Sequence, residues 1–286
     1  MQNFFVKSHG LGNDYIVLNQ DEIEFELTEK AIIEICDVHY GIGSDGILLK
    51  VPSDVADFGL RILNPDGSEA EKSGNGLRIF AKYLYDYKFA KNKIFTIETP
   101  GGLVSTEIIE VKNGKAFAIK VEMGKAIFES AKIPVNCKNQ ECIDETLHLE
   151  YRDYQMNCVS VGNPHCVILK DELDESEIMT FGTQIENDKI FPNRINVQFA
   201  KVISPTLVEV IIWERGAGWT LASGSSSCAV ACVVIKRGLT EQNLTIKMPG
   251  GNLEIEIDDD WNIEMTGEVR EIASGVLSDE LIQNIK

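Results

Sequence analysis

Ser73-Gly74 and Ser223-Gly224 lie 150 residues apart, in "EKSGNGLRIF" and "LASGSSSCAV", and each opens an apolar run of helical period. The start of a helix exposes backbone N–H groups and carries partial positive charge. Glycine there lets a ligand come close to the main chain. Two such starts aimed at one cleft suit an anionic group held from both sides, or a carbanion or enolate developing beside a carboxylate. Serine alone is a good helix cap. Its recurrence in the same context marks Ser73 and Ser223 as functional positions.

Polar side chains gather around both stretches. "LNPDGSEAEKSGNG" offers Asn64 at a strand end, and "WERGAGWTLASGSSS" offers Glu214 and Arg215 at the equivalent place, Asn64 aligning with Glu214. Asn13, Asn163 and Asn196 stand at or near the ends of other predicted strands. Amides with one arginine and one glutamate could hold a zwitterion such as an amino acid.

The elements that must position these groups repeat along the chain. "HGLGNDYIVL" resembles "VSVGNPHCVIL", Gly12-Asn13 falling on Gly162-Asn163 at the same offset of 150, and "TIETPGG" pairs with "TIKMPGG" at 149. Gly-Asn and Pro-Gly-Gly are common turns, but the constant spacing points to duplication. Short β runs dominate: "FFVKSHG", "YIVLN", "GILLKV", "GLRILNP", "IFTIET" and "AFAIKVEMG", then "NCVSVG", "CVILK", "INVQFAKV", "TLVEVIIWE", "LTIKM", "LEIEID" and "NIEMTG". Helical periodicity covers Thr28–His39, Gly76–Lys88, Asp174–Asn187 and Ser225–Arg237. The expectation is α+β, with two pseudo-symmetric domains, each a set of strands around a central helix.

Composition excludes several classes. The chain has 286 residues, enough for two domains, and a net charge of −18 that leaves no basic patch for nucleic acid or an anionic membrane. No run reaches transmembrane length, and "MQNFFVKSHG" lacks a signal-peptide core. Seven cysteines without paired spacing read as reduced thiols of a cytoplasmic protein, and neither they nor the four histidines form a metal motif. Cys166 and Cys228 read as small buried apolar residues.

The motifs "HGLGNDYIVL", "GIGSDGILL", "NPDGSEAEKSGNGLR", "GNPHCV", "RINVQF", "WERGAGWTLASGSSSCA", "MPGG" and "MTGEV" together resemble the pyridoxal-phosphate-independent diaminopimelate epimerases across nearly the whole chain. The resemblance implies two similar domains, 1–130 completed by 274–286 and 131–273, with the active site in the cleft between them. It implies interconversion of LL- and meso-diaminopimelate without a cofactor, by a two-base mechanism, in a cytoplasmic homodimer. Ser73 and Ser223 would stand on either face of the α-carbon, with His165 beside the first and Glu214 beside the second. Gly74-Asn75 and Gly224-Ser225 would hold the carbanion. Asn64, Asn196, Glu214 and Arg215 would hold the distal end, and Asn13 and Asn163 would line the pocket.

This chain departs from the family at the catalytic pair. Both family positions are cysteine, and here both are serine. The family also usually has glutamate where Trp219 stands, and a glycine-containing run where Ser225-Ser226-Ser227 stands. A thiol titrates near pH ~8.5 and ionises easily beside a helix start, whereas a serine hydroxyl is far less acidic. Three readings follow: a divergent enzyme working through its serines, on diaminopimelate or as an isomerase on another substrate; an amino-acid-binding homologue that has lost catalysis; or a chain whose two cysteines were replaced to trap a ligand.

Overall fold

The computed structural model describes residues 2–286. The chain divides into two compact units, Met1–Val121 with Gly267–Lys286, and Glu122–Thr266.

In the first unit, β1 (Phe4–Gly10) and β2 (Asn13–Asn19) form an antiparallel hairpin. Helix α1 (Glu29–Cys36) crosses to β3 (Ile47–Val51), which runs parallel to β2. β4 (Phe58–Leu63) returns antiparallel and turns into the short β5 (Glu69–Ala70). Helix α2 (Gly74–Asp86) then crosses to β6 (Ile94–Thr99), parallel to β4, and β7 (Gly102–Lys112) and β8 (Lys115–Lys125) follow as a meander.

The second unit repeats this order. β9 (Glu145–His148) flanks β10 (Asp153–Ser160), which forms a hairpin with β11 (Pro164–Leu169). Helix α3 (Glu175–Glu186) crosses to the parallel β12 (Asn196–Ser204). β13 (Leu207–Glu214) and the short β14 (Gly218–Thr220) precede α4 (Gly224–Lys236), which crosses to β15 (Asn243–Met248), parallel to β13. β16 (Gly251–Ile257) and β17 (Asn262–Glu268) follow, and β18 (Arg270–Val276) then pairs with β1 in the first unit before α5 (Asp279–Ile285). The fold is α+β, and the internal duplication expected from the spacing is present strand for strand.

α2 and α4 are the central helices. Residues 74–84 of α2 are all buried, as are most of α4. A helix enclosed on all sides needs apolar residues all round, which "CAVACVVI" supplies. α2 instead buries Arg78 and Lys82, and the Lys82 ammonium is matched by Asp86 at 2.8 Å and the Ala116 carbonyl at 2.6 Å.

Where the boundaries differ from expectation, local chemistry explains it. α1 stops at Cys36 because Asp37 turns extended and its Oδ1 accepts from the N–H groups of His39 and Tyr40, both at 2.7 Å. β5, β7, β9, β14, β18 and α5 were not expected from the periodicity. No helix among the described residues is long and apolar enough to cross a membrane.

Candidate active site

In the first unit the Ser-Gly stretch is a helix cap. Ser73 is extended (φ −139°, ψ 116°), and its Oγ accepts from the Gly76 N–H at 3.1 Å. Gly76 fits this turn closely: a Cβ there would stand 3.2 Å from Ser73 Oγ and 3.0 Å from a Leu48 methyl, and both would have to give by a few tenths of an ångström. The same Oγ lies 3.4 Å from the Tyr15 hydroxyl. Asn75, buried in the first turn, donates to Asn13 Oδ1 at 3.1 Å and accepts from the Arg78 guanidinium at 2.8 Å. Arg78 also donates to the Gly74 carbonyl at 3.3 Å and is fully buried. Its charge adds to the positive end of the helix. Asn13 in turn donates to Asp45 at 2.9 Å.

The second unit builds the matching arrangement. Ser223 is extended (φ −145°, ψ 125°), and its Oγ lies 3.5 Å from the Ser226 N–H. Asn163 approaches Ser225 Oγ at 3.5 Å, as Asn13 meets Asn75. Each member of the serine run has its own partner. Ser226 Oγ accepts from Gln198 at 3.0 Å, and Ser227 Oγ donates back to the Ser223 carbonyl at 2.9 Å.

One turn holds each serine in place. In "TPGG" the Gly101 N–H donates to the Glu71 carbonyl at 2.9 Å, and in "MPGG" the Gly250 N–H donates to the Leu221 carbonyl at 2.8 Å. Each acceptor stands two residues before its serine. The repeated Pro-Gly-Gly is therefore a backbone clip on the Ser-Gly segment.

His165 is wholly buried, and its Nε2 lies 2.9 Å from Asn163 Oδ1 while its Nδ1 lies 3.1 Å from Gln198 Nε2. An amide nitrogen can only donate, so Nδ1 accepts and Nε2 carries the hydrogen. Burial is the main cause that pushes the imidazole pKa down to about 3, with the Arg215 charge acting in the same direction against the Gln198 hydrogen bond. His165 is thus a neutral donor that orients Asn163. Above the ordinary value of 6.5 it contributes its full stability, and this is lost as pH falls towards 3. The unfolded chain takes up a proton that the folded chain refuses, at up to about 1.4 kcal/mol per pH unit. Imidazole ¹⁵N spectra should show one neutral Nε2–H tautomer from pH 5 to 9, and a titration near 6.5 would contradict this.

Asn196 uses its amide on the scaffold. It donates to the Pro164 carbonyl at 2.9 Å and accepts from the Arg215 N–H at 3.0 Å. Glu214 ends β13, and its carbonyl accepts from the Ala217 N–H at 3.1 Å, closing the turn that carries Arg215. Beneath that turn lies Glu186, which accepts from Trp213 Nε1 at 2.8 Å, the Gly216 N–H at 2.9 Å and Arg194 at 3.2 Å. Trp219 pairs across the hairpin with Trp213 and packs against the apolar core of this unit.

The first unit thus brings together Asn13, Ser73, Gly74 and Asn75, and the second Asn163, His165, Asn196, Arg215 and Ser225 around the start of α4. Asn64 lies in the turn between β4 and β5, donating to Ser68 Oγ at 2.9 Å. Cys166 and Cys228 are fully buried. Sequence reasoning missed Tyr15, Arg78, Glu186 and Gln198. Two of these were within reach: Gln198 follows Asn196 by two on a strand and so shares its face, and Tyr15 stands 150 residues before His165.

The architecture is that of a racemase and epimerase fold. A hydroxyproline epimerase structure from Agrobacterium vitis superimposes with a TM-score of 0.71 at 12% identity, covering 95% of this chain and 90% of that one. The family model for diaminopimelate epimerase matches residues 5–129 and 157–272. Diaminopimelate epimerase 2 of Nostoc sp. is 49% identical over 278 residues, 97% of this chain and 96% of that protein. The diaminopimelate epimerase of Caldanaerobacter subterraneus subsp. tengcongensis is 41% identical over 271 residues, 95% and 98% of the two chains. This chain belongs to the diaminopimelate epimerase family, a family of isomerases.

Proposed function

We propose that this protein inverts the α-carbon of diaminopimelate, interconverting the LL and meso forms without a cofactor. The observation that carries the reading is the duplicated capped helix start, with a hydroxyl at the same backbone angles in both units. The relatives' names supply the substrate.

In this reading Ser73 and Ser223 serve opposite faces of one α-carbon. One face gives up its proton, and the other returns one. Negative charge on the carbanion and its carboxylate is met by the first-turn N–H groups at Gly74-Asn75 and Gly224-Ser225. Arg215 and Glu214 take the distal carboxylate and ammonium, with Asn64 and Asn196 beside them. Asn13 and Asn163 line the pocket. His165 assists the Ser73 side and Glu214 the Ser223 side. The working form is a cytoplasmic homodimer.

Incubation with LL-diaminopimelate in heavy water tests this directly. Deuterium at the α-carbon, together with meso product, is the expected result. Saturable binding with neither would leave an amino-acid-binding homologue, the reading that the two weakly acidic hydroxyls favour. Exchange with another amino acid alone would move the assignment to a different isomerase of the same fold.

A further inference from the structure

Resting on the reading above, we infer that Tyr15 is the proton store for Ser73, so that the first half-site runs as a two-hydroxyl relay. Tyr15 stands two residues after Asn13, as His165 stands two after Asn163. The two asparagines meet corresponding residues of α2 and α4, Asn75 and Ser225. Tyr15 and His165 are therefore counterparts, but they differ in what they reach. His165 is tied to Asn163 and Gln198, while the Tyr15 hydroxyl lies 3.4 Å from Ser73 Oγ itself.

The position is built. Tyr15 is only 7% exposed, and its ring occupies a slot that Gly46 leaves open, where a Cβ would stand 2.8 Å from ring atom Cε1. Ser73 Oγ accepts from the Gly76 N–H, which leaves its own proton to be donated. The charged groups on neighbouring elements are Arg78 of α2, hydrogen-bonded to Asn75, Asp45 just before Gly46, and the Lys7–Asp14 pair at 3.0 Å on β1 and β2.

A serine hydroxyl is far less acidic than a phenol, which titrates near ~10. Storing the negative charge on Tyr15 is therefore easier than storing it on Ser73. In the forward step the substrate Cα–H bond breaks and its proton goes to Ser73 Oγ. The proton that Ser73 held passes to the Tyr15 phenolate, and the C–H electron pair stays on carbon. One O–H bond forms at each oxygen while the Ser73 O–H breaks, so the charge moves from phenolate to carbanion. The return step runs these transfers backwards.

Tyr15 acts through Ser73 and is a positioning residue. The test compares α-hydrogen exchange of diaminopimelate against pH in wild type, Tyr15→Phe, Ser73→Cys and the Ser73→Cys/Tyr15→Phe double variant. Tyr15→Phe should lower exchange by about 10²-fold and abolish the rise of rate on the alkaline side. In the Ser73→Cys background the same change should leave rate and pH profile nearly unaltered, because a thiolate holds its own charge; activity there also proves that the phenylalanine chain folds. Equal losses in both backgrounds, with an unshifted pH profile, would overturn the relay and reduce Tyr15 to a packing residue. Inert wild type beside an active Ser73→Cys/Ser223→Cys chain would overturn the proposed function of the serine chain and the relay with it, whereas equal losses in an active wild type overturn the relay alone. If neither chain exchanges, the proposed function fails and the relay with it.

Discussion

The double replacement Ser73→Cys/Ser223→Cys should raise α-hydrogen exchange of diaminopimelate by at least about 10²-fold over the serine chain. Sulfur for oxygen changes the side chain little in shape, and each position is already a cap whose hydrogen-bond donor suits an anion. The Gly76 N–H points at the Ser73 Oγ from 3.1 Å, and the Ser226 N–H lies 3.5 Å from that of Ser223. A thiol at a helix start ionises well below its free value of about 8.5, so a fraction of each site would hold a ready base near neutral pH. The buried Arg78 guanidinium, two hydrogen bonds from that helix start, pushes the first site further the same way. Exchange rates and binding isotherms measured side by side decide the matter. Unchanged affinity with no gain in rate would mean that the acid/base pair is not what limits this chain, and attention would pass to Trp219 and the serine run.

Glu186→Ala should cost about 3 kcal/mol of stability and weaken diaminopimelate binding together with it. Glu186 is 4% exposed, and its carboxylate accepts from an indole, a backbone amide and a guanidinium. Removing it takes the acceptor from the Trp213 and Gly216 N–H groups, and the turn from Glu214 to Ala217 loses the group it rests on. For a chain of this size the melting temperature should drop by roughly 5–10 °C, with the binding loss traced to a displaced Arg215. Glu186→Gln, which keeps one acceptor, should lie between. A melting temperature within a degree of wild type for Glu186→Ala would show that the turn does not depend on this carboxylate.

Much of the fold was legible because its repeated signals belong to the backbone. Gly-Asn, Ser-Gly and Pro-Gly-Gly each mark a place where the main chain must bend or come close, and such places survive when side chains diverge. The central helices were legible as long apolar stretches. Most of the missed elements lacked a period to read; β7 is the exception, its Val104, Thr106 and Ile108 alternating inward. β5 and β14 have two and three residues, too short to alternate, and β18 is exposed along most of its length, so no apolar face shows in "REIASGV". At the candidate site, the capping serines and asparagines announced themselves as turn formers. Tyr15 did not, because a tyrosine leading "YIVL" looks like one more core aromatic. Glu186 reads as the polar end of a surface helix, since nothing local says that a tryptophan 27 positions later will fold down upon it.

The Pro-Gly-Gly clip carries a consequence for ancestry. It grips the peptide carbonyl of residue 71 or 221 and never touches the side chain two places on. Whatever atom tips residue 73 or 223 is presented by the same mount, so oxygen and sulfur can replace one another there without any adjustment of the scaffold. A lineage could cross from thiol to alcohol and back through single nucleotide changes, one half at a time, and keep a well-folded molecule at every stage.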